Sequence, residues 1–107
     1  MSLLKFTASW CGPCKKIQPI VEATLKAKEL QSEYRAIDVE TDSGLELSER
    51  FKVKGLPTFL WVDAVGAEVK RVIGCDEEKV VALFTEFAEA AKKNARIPLL
   101  PEAMLDL

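Results

Sequence analysis

Cys11 and Cys14 are separated by two residues and stand between a short apolar run and an apolar pattern of helical spacing. The apolar run, residues 3–8, predicts a strand. From Cys14 onward, apolar residues recur every three to five positions, which predicts a helix. The sequence therefore places two thiols at the junction of a strand and a helix, where a C-x-x-C favours a redox-active dithiol.

A zinc site is the main alternative for such a cysteine pair. Structural zinc needs four ligands, usually Cys and His, and the chain has three Cys and no His. Cys75 supplies the third thiol, so the fourth ligand would have to be a carboxylate. The lack of His also removes the base of a Cys–His protease. The redox interpretation is favoured, and we expect no metal.

The composition excludes other classes of protein. Hydrophobic residues make up 49% and charged residues 30% of the 107 residues, which is typical of a globular domain. The net charge of −2 argues against nucleic-acid binding. The apolar runs are too short to span a bilayer, and the chain does not start with a charged segment followed by an apolar one. We expect a cytoplasmic protein that binds neither nucleic acid nor membrane.

The rest of the chain predicts alternating elements of both types. Ser43 is the predicted N-cap of a short helix, and Asp76 of a last helix. The predicted buried stripe of the last helix contains Val80, Phe84, Phe87, Ala88 and Ala91. Further strands are predicted at residues 34–39, 58–62 and 69–73. This order predicts one α/β domain, in which a parallel βαβ half and an antiparallel ββα half form a mixed four-stranded sheet with helices on both faces.

The physical chemistry of a helix start explains how Cys11 can react. Unpaired N–H groups and the positive end of the helix dipole stabilise a thiolate there, and the thiolate is the attacking species. Cys14 lies one turn further into the helix and is expected to be less exposed. We predict that Cys11 attacks and Cys14 resolves, with Pro13 restricting the loop.

Two segments resemble the signatures of the thioredoxin family: FTASWCGPCK at residues 6–15 and GLPTF at residues 55–59. The resemblance extends roughly over residues 3–92 and implies a thioredoxin-like fold with a cis peptide bond before Pro57. It implies that the redox pair is tuned by Gly12, Pro13 and Pro57, with Pro57 beside the disulfide excluding metal. The residues that it implies for substrate binding are Trp10, Leu56, Thr58, Gly74 and Cys75, with the backbone around Leu56 pairing with an extended peptide.

The resemblance also implies an activity. It is the reduction of disulfide bonds in target proteins, with electrons from NADPH through a thioredoxin reductase and without a bound cofactor. A Gly-Pro spacer between the cysteines is the variant found in reducing members of the family. A thioredoxin-fold docking or accessory subunit, whose thiols are incidental, is the alternative, because fold alone does not fix function. A disulfide oxidase or isomerase is a third interpretation.

Lys5 departs from the family pattern, since thioredoxins usually carry a buried Asp here that is thought to accept the proton of the second cysteine. One interpretation packs the stem of Lys5 and leaves its charge in solvent. The other pairs Lys5 with Asp38 on the neighbouring strand. A nearby ammonium would stabilise the Cys14 thiolate, whereas a desolvated neutral Lys5 would accept the Cys14 proton. Lys5 is thus a predicted redox-tuning residue.

Both ends of the sequence depart from the family as well. Thioredoxins have a strand and a helix before the first strand seen here, which leaves residues 34–40 as a predicted sheet edge. Residues 95–107 form a predicted apolar C-terminal extension of the single domain, residues 1–107. This tail is expected to fold back over the surface or to bind a partner. We expect a monomer, with the edge 34–40 and the tail as the two routes to self-association.

Cys75 and Trp61 lie outside the two signatures. A lone Cys is more often a small buried hydrophobe, but the resemblance places Cys75 on the docking face, where it would be exposed and open to oxidation. Both interpretations of Cys75 stay open at this point. Trp61, within a predicted strand, is expected in the core.

Overall fold

The structure is a computed structural model that describes residues 1–99, with side chains described for residues 1–92. The chain alternates strands and helices, with a 3-10 turn at Gln31–Glu33. The elements are β1 Ser2–Thr7, α1 Gly12–Lys28, β2 Tyr34–Asp38, α2 Asp42–Arg50, β3 Thr58–Val62, β4 Glu68–Ile73 and α3 Glu77–Leu99.

One mixed sheet of four strands, in the order β2-β1-β3-β4, organises the fold. β1 pairs with β2 in parallel, and the two are joined through α1. β3 pairs antiparallel with both β1 and β4. The predicted α/β class, with a parallel βαβ half and an antiparallel ββα half, is therefore confirmed. β2 lies at the sheet edge, where the sequence placed residues 34–40.

Successive strand residues face opposite sides of the sheet and build two cores. α1 and α3 cover one side, on which Leu3, Ile17, Val21, Phe59, Phe84 and Phe87 are buried. α2 covers the other side, where Leu47 and Phe51 pack against the cluster of Leu4, Phe6, Leu60 and Val62. Helices thus lie on both faces, as predicted. The side chain of Lys5 belongs to the α1 side, since it alternates with Leu4 and Phe6.

The last helix follows the sequence prediction closely. Asp76 precedes α3, and its Oδ1 accepts a hydrogen bond from the Lys79 N–H at 3.2 Å. All five predicted stripe residues face the core, and Leu83 is buried beside them. Trp61 is partly buried and packs against this core, with its ring edge-to-face on Phe87 at a centroid distance of 5.6 Å.

The N-cap of α2 is Thr41, so the prediction of Ser43 was wrong. Thr41 has an extended backbone, and its Oγ1 accepts a hydrogen bond from the Gly44 N–H at 3.0 Å. A Cβ atom at Gly44 would overlap the main-chain oxygen of Asp38, so the missing side chain lets the helix start this close to the end of β2. The helix therefore begins earlier than the turn residues of the sequence suggested.

The C-terminal part of the chain is described only as far as Leu99. α3 continues to that residue, so residues 95–99 of the predicted tail are helical. Residues 100–107 lie outside the described residues, and the predicted folding back of the tail stays a prediction.

An ion pair on β4 ties the sheet to the end of α2. The Arg71 guanidinium donates through Nε and Nη2 to the two carboxylate oxygens of Glu68, each at 2.7 Å. Its Nη2 also donates to the main-chain oxygen of Phe51 at 2.6 Å. The hydrogen bond from Arg71 holds the pKa of Glu68 below its usual value of 4.5.

Glu68→Gln is expected to lower the free energy of unfolding near neutral pH by about 0.5 kcal/mol, the scale of a partly exposed ion pair. Because the pKa of Glu68 is depressed in the folded state, this stabilisation is present above the unfolded-state pKa and is lost as the pH falls through the folded-state pKa. Urea unfolding at a series of pH values measures the difference. Glu86→Gln, in the more exposed pair with Lys70, is the control. A Glu68→Gln deficit that did not shrink in acid would contradict the assignment.

Candidate redox site

Cys11 and Cys14 form a disulfide at the first turn of α1. Cys11 is the N-cap of this helix, with an extended backbone, and its Sγ accepts a hydrogen bond from the Cys14 N–H at 3.2 Å. Pro13 lies in the first turn, where its fixed φ suits the helix. The sulfur of Cys11 therefore occupies the position at which unpaired N–H groups and the helix dipole favour a negative charge.

The two cysteines line different surface depressions. The front groove, of about 420 Å³, is lined by Cys11 and by Trp10, Gly12, Pro13, Val39, Leu45, Ser48, Val53, Lys54, Gly55 and Leu56. The rear cavity, of about 610 Å³, is lined by Cys14 and by Lys5, Thr7, Ala8, Ser9, Lys15, Gln18, Pro19, Glu22, Ala36 and Asp38. Cys11 is 4% exposed and Cys14 1% exposed, which is the order that the sequence predicted.

The loop before β3 forms one wall of the front groove. The Leu56–Pro57 peptide bond is cis, as the resemblance implied. Leu56 packs against the cluster of Ala8, Cys11 and Cys14, and Pro57 is buried. The main-chain oxygen of Pro57 accepts a hydrogen bond from the Gly74 N–H at 2.8 Å, which ties this loop to the end of β4.

Trp10 is held over the site by a carboxylate. Its indole is 67% exposed, and its Nε1 donates to Glu40 Oε2 at 3.1 Å. The Ser9 hydroxyl donates to Glu40 Oε1 at 2.9 Å. Glu40 therefore fixes the segment just before Cys11 while leaving the ring of Trp10 on the surface.

Lys5 lies beneath α1 and not in solvent. Its side chain is 3% exposed, and its Nζ donates to the main-chain oxygen of Cys14 at 2.9 Å and to Gln18 Oε1. The interpretation that left the Lys5 charge in solvent was therefore wrong. α1 crosses directly over this strand position and buries the whole side chain.

The predicted pairing of Lys5 with Asp38 was also wrong. The two side chains line the same cavity but form no ion pair in the described structure. In the parallel register Lys5 lies opposite Ala36, whereas Asp38 lies opposite Thr7 at the end of the strand. Asp38 Oδ1 accepts a hydrogen bond from the Glu40 N–H at 2.9 Å instead.

The remaining predicted residues occupy different places in the structure. Gly12 lies in the wall of the front groove, as do Trp10, Pro13 and Leu56. Thr58 is fully buried, with its hydroxyl donating to the Gly55 main-chain oxygen at 2.6 Å, so its side chain supports the loop from within. Cys75 is a free, exposed thiol, so the interpretation of Cys75 as a small buried hydrophobe was wrong.

Sequence reasoning missed three polar residues at the site: Gln18, Glu22 and Glu40. Gln18 Nε2 donates to Glu22 Oε2 at 3.1 Å, so Lys5 is linked through Gln18 to a surface carboxylate. Cys14, Gln18 and Glu22 follow one another at four-residue steps on one helix face, and this spacing was the available signal.

Among residues with described placement, no cluster of three or more His, Cys, Asp or Glu is arranged to hold a metal ion. No helix in that part of the chain is long and apolar enough to cross a membrane.

A redox-active disulfide at a helix N-cap, on a mixed sheet of this order, defines a thiol–disulfide oxidoreductase of thioredoxin-like fold. Comparison with known proteins agrees. The family model described as Thioredoxin matches residues 1–94. A thioredoxin from Mycolicibacterium smegmatis is 35% identical over 82% of this chain and 76% of its own length. The X-ray structure of Fasciola hepatica thioredoxin has a TM-score of 0.67 and 35% identity, and the match covers 78% of this chain and 77% of that one.

The chain belongs to the thioredoxin family. It is a thioredoxin-type protein-disulfide reductase whose redox-active group is the Cys11–Cys14 disulfide. A further relative is a bifunctional thioredoxin reductase/thioredoxin from Mycobacterium leprae, 35% identical over 67% of this chain and 15% of that protein.

Proposed function

We propose that this protein reduces disulfide bonds of target proteins, with Cys11 as the attacking thiolate and Cys14 as the resolving thiol. The observation that carries the assignment is the position of Cys11 Sγ at the N-cap of α1. A thiolate there accepts the hydrogen bond that the sulfur already accepts from the Cys14 N–H. This contact favours the charged form of Cys11 before any target binds.

The reaction proceeds as two thiol–disulfide exchanges. The Cys11 thiolate attacks one sulfur of the target disulfide, forms a mixed disulfide and releases the other target sulfur as a thiolate. The Cys14 thiolate then attacks Cys11 Sγ, which forms the Cys11–Cys14 bond and releases the second target thiolate. Two electrons pass from the protein to the target, and the disulfide seen in the structure is the oxidised product.

The front groove is suited to an extended target segment beside Cys11. Its lining is mostly apolar and includes the exposed ring of Trp10 and the residue Leu56. In the described part of the chain, the amide and carbonyl of Leu56 make no main-chain hydrogen bond. They are therefore open to pair with the backbone of a target strand. Gly74 and Cys75 extend this docking surface in the proposal, whereas the side chain of Thr58 is buried away from it.

The electron donor in this proposal is a thioredoxin reductase that uses NADPH. The fusion of a thioredoxin reductase with a thioredoxin in the Mycobacterium leprae relative supports such a partner. We further infer a cytoplasmic monomer, with the exposed edge of β2 as a route to self-association. That edge offers unpaired main-chain groups.

A reconstituted electron-transfer assay tests the proposal. The protein, a thioredoxin reductase, NADPH and insulin as disulfide target should give continuous NADPH oxidation and insulin reduction. The reduction potential of the Cys11–Cys14 couple, measured in thiol buffers, should lie near about −270 mV, the value typical of thioredoxins in general. A potential of about −180 to −120 mV, the range of isomerases and oxidases, would overturn the reducing role.

A further inference from the structure

Cys14 and Lys5 meet at the rear cavity, which is distinct from the front groove that Cys11 lines. Both residues line the rear cavity, and the Lys5 Nζ lies 2.9 Å from the main-chain oxygen of Cys14. The resolving step needs Cys14 as a thiolate, so its proton must leave the sulfur. The target occupies the front groove during that step, which leaves the rear cavity as the route to water.

The hydrogen bonds of Lys5 match those of a neutral amine. A neutral amine has two N–H donors and one lone pair, and its two acceptors here are the Cys14 main-chain oxygen and Gln18 Oε1. An ammonium has three donors, and the third would be left to water in the rear cavity. Burial lowers the pKa of Lys5, with the Glu22 charge acting in the opposite direction. A lowered pKa also favours the neutral form of the Lys5 amine.

The other ionisable groups around Lys5 come from α1 and β2. α1 contributes Glu22 and Lys15, and β2 contributes Asp38. Burial, aided by the charge of Glu22, raises the pKa of Tyr34 to about 12, so this phenol stays neutral over the working range. On the other strand beside Lys5, its register partner is the apolar Phe59.

We infer that Lys5 is the proton acceptor of Cys14 in the resolving step, and that the rear cavity carries this proton to solvent. The inference rests on the proposed function and deepens it. The neutral Lys5 amine takes the proton from Cys14 Sγ and becomes an ammonium. The Cys14 thiolate then attacks Cys11 Sγ, the Cys11–Cys14 bond forms, and the bond from Cys11 to the target breaks. The departing target thiolate takes a proton from water, and Lys5 returns its proton through the rear cavity.

An aromatic disulfide that releases a coloured thiolate separates the two exchanges. The assay uses a Cys75→Ser background, because the exposed Cys75 thiol would also release colour. When this reduced protein is mixed with the probe, the first release of colour reports attack by Cys11, and the second reports resolution by Cys14. With Lys5 intact, both phases should appear. A missing first phase would argue against the proposed function itself, whereas the inference about Lys5 concerns the second phase.

Lys5→Met removes the amine and keeps most of the stem. The second phase near neutral pH should slow by about a hundredfold, the lower end of the range for loss of a proton-transfer group, and its rate–pH profile should move to higher pH. Lys5→Arg keeps a positive charge but cannot act as a base, so it should be as slow as Lys5→Met. Lys70→Met removes a lysine of β4 that pairs with Glu86 and should leave both phases unchanged.

Two results would overturn the inference. One is an unchanged second phase in Lys5→Met. The other is full recovery in Lys5→Arg, which would show that positive charge, and not proton acceptance, is what Cys14 needs. Should the variants fail to fold, the nitrogen NMR signal of Lys5 in the reduced wild type gives the answer. It should show a neutral amine over the pH range in which the second phase becomes fast, and an ammonium throughout that range would refute the inference.

Discussion

Cys14→Ser should convert the protein into a trap that stays covalently bound to its target. Cys11 keeps its place at the N-cap of α1 and can still attack, but no second thiol is left on the helix to release the mixed disulfide. Steady-state disulfide reduction should fall by about 10³-fold or more, as for loss of an essential nucleophile. Non-reducing gels and mass spectrometry measure the trapped species, and the reductase-coupled assay measures the turnover.

The matched variant Cys11→Ser should lose turnover to the same extent without forming the trap. Cys14 lines the rear cavity and not the front groove in which the target is proposed to bind, so it is not placed to make the first attack. Cys75→Ser, at the exposed free thiol, should retain the turnover of the wild type. Trapping by Cys11→Ser instead of Cys14→Ser would reverse the assigned roles. If the double variant Cys11→Ser/Cys14→Ser kept the biological activity of the protein, this would favour a docking module whose thiols are incidental.

Phe84→Ala should cause a large loss of stability, as expected for a fully buried core aromatic residue. Phe84 is fully buried between α3 and the sheet, with ring centroids 6.0 Å from Phe59 and 6.4 Å from Tyr34. Truncation removes a whole ring and leaves a cavity, which costs about 3–5 kcal/mol. Because domains of this size have a total stability of about 5–15 kcal/mol, a large share would be lost. Urea unfolding followed by tryptophan fluorescence measures the change.

Val65→Ala, in the exposed loop between β3 and β4, is the control for this measurement. Its side chain is largely in solvent, and the free energy of unfolding should change by about 0.5 kcal/mol or less. A Phe84→Ala loss below about 1.5 kcal/mol, with the denaturant dependence unchanged, would mean that this part of the core collapses around the missing ring.

The elements with a strong apolar period could be predicted from the sequence. The stripe of α3 and the strand Thr58–Val62 lie where their patterns placed them. The helix shows the spacing of one buried face, and the strand shows the short apolar run of an element buried on both faces. The start of α2 could not be predicted in the same way. Several polar residues near it can serve as a cap, and the choice of Thr41 depends on the close approach of Gly44 to Asp38.

The candidate site also contains features that local sequence spacing predicts and features that it does not. The roles of Cys11 and Cys14 follow from local spacing, since two residues between the cysteines fix one at the helix start and the other a turn later. The hydrogen bond from the Trp10 indole to the Glu40 carboxylate joins residues thirty positions apart, and no local sequence pattern predicts it.

Lys5 shows most clearly what the sequence determined by itself and what only the tertiary structure decided. The sequence placed a cation one strand position from Phe6 and ahead of the two thiols, because chain order and strand period fix that much. Whether its amine reaches solvent, Asp38 or Cys14 depends on how α1 crosses the sheet and on the register of β2. Those are set by packing and by pairing between distant segments, and they put the amine on the main-chain oxygen of Cys14, under the helix that carries both thiols.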